Sequence, residues 1–346
     1  MRHSILFIAF STFFLPLFFQ GALVHAATAA EEEKLMASYN AIVMVRGYNP
    51  DGGMAYGSGV VVAKDKVLTN CHIFRQTKLP WVSRGEESYP IVSVQADRYH
   101  DLCLVGTNAL PLEPIQLGIS TDLKKGQEVV AIGHSSGSPA PLTSGGSLKS
   151  LYPYEHGNVL RSTARFAMGA SGSGLFDLDG RLIGINTFKS PGRNAYFYAL
   201  PVEWLASIEK LPVETRFPID GKAFWEEEDL QKPFFMQMAI PELKKDWDKL
   251  AEVAGRWVIA EPASTEAWYE LGYSNEQLEK PTEAETAYRR ALLLDAYNTD
   301  ALFRLGVLVA NKGDKSELHR INVALATLDK DLSDEFVKAV GCDTQC

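Results

Sequence analysis

The stretch Met168-Gly169-Ala170-Ser171-Gly172-Ser173-Gly174-Leu175-Phe176 sets Ser171 among glycines and follows it with an apolar run. Glycine lets a backbone turn sharply and lets a second backbone come close. A nucleophilic serine requires both, because its hydroxyl must project from a tight turn beside free N–H groups that receive a developing oxyanion. Downstream, Leu175-Phe176-Asp177-Leu178 and Arg181-Leu182-Ile183-Gly184-Ile185-Asn186 flank Asp179-Gly180, which predicts strand, turn, strand. The same residues also describe a glycine-rich hairpin with an idle serine. A histidine and a carboxylate upstream decide between the two.

From Tyr39 to about Leu200 the pattern is all-β. Strands are expected at 41–45, at 58–63 and 66–69 around a Lys64-Asp65 turn, and at 91–94, 101–105 and 128–133. Short strands punctuated by Gly, Pro and Asp predict a sandwich or barrel. His72 ends one of these strands, Asp101 opens another 29 residues later, and Ser171 follows after a further 70. The order His, Asp, Ser is that of chymotrypsin-type enzymes.

In these blocks the first half resembles the trypsin-like serine peptidases, in particular the HtrA (Deg) type. The resemblance rests on Gly57-Ser58-Gly59-Val60-Val61, Leu68-Thr69-Asn70-Cys71-His72, Asp101-Leu102-Cys103-Leu104-Val105, Val130-Ala131-Ile132-Gly133-His134, Thr143-Ser144-Gly145, Gly169-Ala170-Ser171-Gly172, the 179–187 hairpin and Phe197-Tyr198-Ala199-Leu200-Pro201. It covers residues 38–208 in family order and implies a double β-barrel with the site in the cleft between barrels. It implies Ser171 as nucleophile, His72 as general base and acid, Asp101 as orienter of the imidazole, and the N–H groups of Gly169 and Ser171 as oxyanion hole. Thr187-Phe188-Lys189 is the expected edge strand for an extended substrate. Two positions depart from the family pattern. Ala170 replaces an Asn or Asp, so a new N-terminal amine has no carboxylate to meet there. Ser173 is a second serine, but Ser171 alone has glycine two residues before and one after. Arg165 sits six residues before the nucleophile, where the fold places the floor of the primary specificity pocket. Pointing inward, it would favour an acidic side chain before the scissile bond; pointing outward, it leaves Phe166 or Met168 to line an apolar pocket. His100 and His134 read as surface residues.

At the N-terminus, Arg2 and His3 precede an apolar run from Ile5 to Phe19, and Val24-His25-Ala26 offers small residues for cleavage after Ala26. Residues 1–26 therefore read as a signal peptide, and the chain as exported, periplasmic or secreted, with no membrane contact after cleavage. Cleavage would remove Arg2 and no acidic residue, so the net charge of -9 would become -10. That balance argues against nucleic acid as a partner. The four cysteines Cys71, Cys103, Cys342 and Cys346 are disulfide candidates in an oxidising compartment. If His72 and Asp101 touch, Cys71 and Cys103 lie close too, bridged or as buried thiols; Cys342 and Cys346 could form a small loop or stay free. No cluster has metal-ligand spacing, and no cofactor is expected.

After Ile208 the composition changes. Residues 209–225 contain two prolines and no helical period, and read as a linker. Glu226-Glu227-Glu228-Asp229 reads as a solvated helix start. Residues 226–341 have a helical period with an internal repeat of 34 residues, the tetratricopeptide (TPR) spacing. Full units are expected at 265–298, with Trp268, Leu271, Gly272, Ala284, Tyr288 and Ala291, and at 299–332, with Leu302, Leu305, Gly306, Leu318, Asn322 and Leu325 at the matching positions. The second unit departs from the pattern at Asn322, as a terminal cap does. Stacked repeats form a concave groove for peptides or partner proteins.

The expected whole is a multidomain chain, an all-β double-barrel peptidase domain followed by an all-α helical-repeat domain. Its expected activity is hydrolysis of peptide bonds in protein substrates, with the repeats selecting substrate or partner. The alternative is an inactive peptidase-fold scaffold that binds proteins through the repeat groove. An esterase is disfavoured, because the α/β pattern of such enzymes is absent.

Overall fold

Short apolar runs separated by tight turns form thirteen strands in the computed structural model, which describes residues 29–190 and 195–341. The expected leader, Cys342 and Cys346 lie outside the described residues. A helix that the sequence pattern did not suggest, α1 (Ala29–Asn40), precedes β1 (Ile42–Tyr48), β2 (Met54–Ala63), β3 (Lys66–Asn70), β4 (Lys78–Arg84), β5 (Glu87–Pro90), β6 (Ser93–Asp97) and β7 (Leu102–Gly106). These seven strands pair antiparallel in the order β5-β4-β1-β2-β3-β7-β6. Next come β8 (Glu128–Gly133), β9 (Leu142–Tyr154), β10 (Gly157–Ser162), β11 (Ser173–Asp177), β12 (Leu182–Lys189) and β13 (Phe197–Pro201), which close into a barrel in the order β10-β13-β12-β11-β8-β9. Two barrels were expected, but only the second closes by strand pairing; the first is an open seven-stranded sheet. Its β6 edge is covered from elsewhere in the chain: Val94 and Glu214 exchange two backbone hydrogen bonds of 2.8 Å. That pairing satisfies an edge that would otherwise present free N–H and C=O groups.

Glu214 belongs to the segment expected to be a free linker, and the linker reading is corrected here. Its apolar residues are spaced irregularly, so no period betrays them, yet Ile219, Ala223 and Phe224 are fully or almost fully buried. Burying a phenylalanine contributes about 1.5–3 kcal/mol, which holds residues 211–226 as a strap across the first sheet. The charge run after it does not start a helix. Glu226 ends a short 3-10 turn, Phe224–Glu226, and makes a bidentate ion pair with Arg75. The expected strand at 91–94 is shifted, since Ile91 and Val92 precede β6.

After α2 (Leu205–Ile208) and the strap, the chain is helical: α3 (Phe234–Lys244), α4 (Trp247–Ala260), α5 (Thr265–Gln277), α6 (Pro281–Leu294), α7 (Thr299–Lys312), α8 (Lys315–Leu328) and α9 (Lys330–Ala339). Five of these starts are set by side-chain caps: Asp246, Ser264, Asn298, Asp314 and Asp329 each accept from a backbone N–H three residues on. Pro281 opens α6 at the position where its missing N–H costs nothing. The starts of α5 and α7, Thr265 and Thr299, are 34 residues apart, as are those of α6 and α8, Pro281 and Lys315. Gly272 and Gly306 occupy equivalent places; a Cβ there would come within 2.6 Å of the Tyr288 ring and 2.4 Å of the Phe336 ring. At Asn322, where the first unit has the buried Tyr288, the side chain accepts from Ser333 of α9 at 3.1 Å, and Phe336 of α9 supplies the missing ring.

The helices do not stand apart from the strands. One apolar cluster runs from Ile42 and Leu68 through Leu200 and Phe224 to Phe235, Leu250, Trp257 and Ala267, and a second fills α6 to α9. Polar ties reinforce the contact, with Arg161 of β10 to Glu242 of α3 at 2.9 Å and Lys125 to Asp300 of α7 at 2.5 Å. Glu270 of α5 is buried at this junction; burial, together with Glu242 and Glu266, pushes its carboxyl up to about 8.

Candidate active site

β3 ends in a 3-10 turn, Cys71–Phe74, that turns His72 out of the sheet. β7 runs beside β3, with Thr69 opposite Cys103 and Asn70 opposite Leu102, so the residue before β7 lies level with the turn. That residue is Asp101, completely buried, at φ 57. The left-handed backbone is uncommon for a residue other than glycine and is tolerated best by Asn and Asp. Here it aims the carboxylate back along the sheet: Oδ1 accepts the His72 backbone N–H at 2.8 Å, and Oδ2 lies 2.6 Å from His72 Nδ1. A carboxylate accepts, so the imidazole proton sits on Nδ1 and Nε2 is left as an acceptor. The Asp101 carbonyl accepts from Cys71 N–H at 3.2 Å and from Asn70 Nδ2 at 2.9 Å; Asn70 also donates to Thr187 Oγ1 at 3.0 Å. Cys71 and Cys103, flanking the pair, form a disulfide with Cα atoms 5.0 Å apart.

Ser171 lies in the loop from β10 to β11, between Gly169 at φ 92 and Gly172 at φ 83. Gly172 must be glycine on a second ground: a Cβ would meet Ser58 O at 2.2 Å, Thr69 Oγ1 at 2.4 Å and Asn70 N at 3.1 Å. This approach sets Ser171 against the end of β3, next to the turn that carries His72. Ser58 pins the loop from below, its N–H donating to Ser171 O and its hydroxyl to Gly169 O, both at 2.8 Å. Among the described residues, neither the Gly169 nor the Ser171 N–H donates to any protein acceptor. Ser173 lines the cavity beside the loop. It is buried in β11, and its hydroxyl accepts from Asn186 Nδ2 at 3.0 Å.

A cavity of about 300 Å³ beside the loop is lined by Gly133, Leu142, Thr143, Arg165, Phe166 and Phe197. Phe166 and Phe197 meet edge to face at 5.1 Å, Arg165 is exposed and makes no ion pair among the described residues, and Met168 is 77% exposed. Thr187-Phe188-Lys189 is the last part of β12. It runs past the end of β11; Thr187 sits at a bulge without a strand partner, and Phe188 and Lys189 pair only with β13.

Two expectations are corrected. His100 is not a surface residue: it lies between Asp97, 2.7 Å from Nδ1, and Glu155, 3.2 Å from Nε2, with its ring 4.3 Å from that of Trp204. Burial opposes its charge, but the two carboxylates prevail and hold its pKa above the usual 6.5. His134 is also buried; its Nδ1 lies 2.8 Å from Ser138 O, and burial lowers its pKa. His100 meets Glu155 and Trp204 from distant segments besides its neighbour Asp97, whereas the Ser138 partner of His134 is local.

Sequence reasoning missed Trp225. Its ring lies 5.8 Å from the His72 ring, edge to face, and is stacked 5.6 Å from Phe188. The signal available was the aromatic pair Phe224-Trp225 inside a stretch otherwise lacking apolar period.

Residues 57–185 match the family model of the trypsin-like peptidase domain. Among curated proteins, a probable periplasmic serine endoprotease DegP-like from Halomonas elongata is 31% identical over 155 residues, which is 42% of this chain and 33% of that one. The anti-sigma-I factor RsgI9 of Acetivibrio thermocellus is 27% identical over 169 residues, 48% of this chain and 24% of that one. The chain thus spans a third or less of the length of these relatives. Among solved structures, the Rv3671c protease from M. tuberculosis in its active form is 20% identical, covering 56% of this chain and 89% of its own, at a TM-score of 0.48. Residues 57–185 are thus similar to trypsin-like peptidase domains, and a helical region follows them.

Proposed function

We propose that this chain is an exported serine endopeptidase acting on protein substrates through Ser171, His72 and Asp101. The observation that carries this reading is the double hold of Asp101 on His72, through the backbone N–H and Nδ1, beside a serine flanked by two unspent N–H groups. Ser171 Oγ attacks the scissile carbonyl carbon while His72 Nε2 takes its proton. The negative oxygen sits between the Gly169 and Ser171 N–H groups. The C–N bond then breaks, the leaving amine takes the proton from Nε2, and water releases the acyl group by the same route. Thr187–Lys189, with one edge free of strand partners, pairs with the extended substrate. The Phe166–Phe197 pair lining the cavity supports the reading in which the primary pocket selects apolar side chains, with Arg165 lining it too.

Export is supported by the Cys71–Cys103 disulfide, which is at home in an oxidising compartment, and by the periplasmic naming of the DegP-like relative. The helical region is read as TPR repeats at 265–298 and 299–332, supported by helix starts 34 residues apart and by the packing of Gly272 and Gly306. Its role is to choose or position protein substrates or partners.

The test is labelling with a fluorophosphonate together with hydrolysis of an unfolded protein. The reading expects a label on Ser171, its loss in Ser171→Ala, its retention in Ser173→Ala, and a fall of several orders of magnitude in hydrolysis for Ser171→Ala. A folded wild type that neither labels nor cleaves is instead a peptidase-fold adaptor.

A further inference from the structure

Beyond Lys189 at the end of β12, a groove of about 360 Å³ continues between the barrel and the helical region. Its near end is the Phe188–Trp225 stack, and its far side is formed by α3 and α4, where Met236 and Ile240 expose apolar surface. Its rim is basic in a chain of net charge -9: Lys189, Lys232, Lys244, Lys249 and Arg256 stand against Asp229 and Asp246. Lys232 is spent on Asp229 and Lys249 on Glu252. Lys189 and Lys244 are exposed and make no ion pair among the described residues. An extended peptide paired with Thr187–Lys189 has its chain N-terminal to the scissile bond directed along β12 and into this groove.

Trp225 stands at the entrance, between His72 and Phe188, and it is built in. Phe224 beside it is completely buried, with its N–H donating to Tyr99 O at 2.9 Å. Glu226 on its other side is held by Arg75, three residues beyond His72 on the same turn. Arg98 fixes the strap further back, with contacts of 2.9 Å to Asp220 O and 2.8 Å to Glu214 Oε2.

We propose that the strap and the first helices of the C-terminal region form the binding site for the peptide N-terminal to the scissile bond. Trp225 walls the position two residues before that bond and admits only small side chains there. The groove behind it takes an apolar and an acidic side chain four to six residues before the bond. The proposal rests on the peptidase reading above. It commits to an acidic peptide because the two unspent lysines lie at the rim of an apolar trough.

The experiment is a peptide library extending six residues before the scissile bond, profiled as kcat/KM, with active sites titrated by the fluorophosphonate. Trp225→Ala should raise cleavage of peptides with leucine or phenylalanine two residues before the bond about tenfold relative to alanine, the discrimination expected of a few methylenes in a pocket. Trp225→Phe should fall between. Lys244→Glu, on an exposed helix face, should cut the preference for acidic over basic residues four to six before the bond by about two- to fivefold, less at high salt. It should leave peptides with only three residues before the bond unchanged. Failure of the wild type to label sinks the peptidase reading. A labelled, cleaving enzyme whose profile at these positions is the same in all three variants overturns the present inference, as does a uniform gain on every peptide in Trp225→Ala, which would make Trp225 a plug.

Discussion

Asp101→Asn separates the orienting role of the carboxylate from its place in the fold. Asn has nearly the same shape, but one acceptor oxygen and one donor amide replace two acceptors. In the wild type one oxygen receives the His72 backbone N–H at 2.8 Å and the other faces Nδ1 at 2.6 Å. If the Asn oxygen keeps the backbone N–H, its amide faces Nδ1, which must then accept. The imidazole proton moves to Nε2, where it blocks removal of the serine proton. If the amide turns the other way, a buried backbone donor is left opposed, at about 1–3 kcal/mol. The first arrangement costs less to the fold and most to the chemistry. We expect kcat to fall by about four orders of magnitude, roughly 5.5 kcal/mol of transition-state stabilisation, with KM within a few-fold and melting lowered only slightly. Steady-state kinetics on a short peptide and a thermal melt on the same preparations measure both. A variant that keeps kcat within tenfold, or that loses activity through KM alone, refutes the assignment of Asp101.

Gly172→Ala should be inactive and less stable, because its Cβ meets backbone atoms of Ser58 and Asn70 at φ 83; failure to label with fluorophosphonate, with strand content by circular dichroism retained, is the expected result. Replacing Cys71 and Cys103 by serine opens a link across 32 residues, so chemical denaturation should show a loss of about 2–4 kcal/mol, and a change under half a kcal/mol would speak against a bridge in solution. His100 has a raised pKa in the fold, so its contribution to stability is complete below the unfolded-state value and is lost as pH rises through the folded one. The melting-temperature gap between wild type and His100→Asn should therefore be widest in mild acid and shrink on the alkaline side, and a gap that widens with pH would contradict the ion pairs to Asp97 and Glu155.

What the sequence determined by itself is local. Glycines at 169 and 172 mark a sharp turn whatever surrounds them, since φ angles of 92 and 83 suit residues without a Cβ. The helical period of 226–341 and its 34-residue repeat mark the helical region, because hydrogen bonds three and four residues apart leave a period in the chain. His72, Asp101 and Ser171 could be singled out as candidates from short contexts for the same reason.

Tertiary structure decided what depends on residues far apart in the chain. Ile219, Phe224 and Trp225 carry no period, so 209–225 reads as a linker until the first sheet supplies a surface that buries them. His100 reads as wet until Asp97, Glu155 and Trp204 surround it. Whether a first barrel closes depends on the pairing between β5 and β6, which no single strand encodes, and the open edge is met by Glu214 from 120 positions downstream of Val94. Local propensity is written residue by residue, whereas burial and pairing belong to surfaces that exist only once the chain has folded.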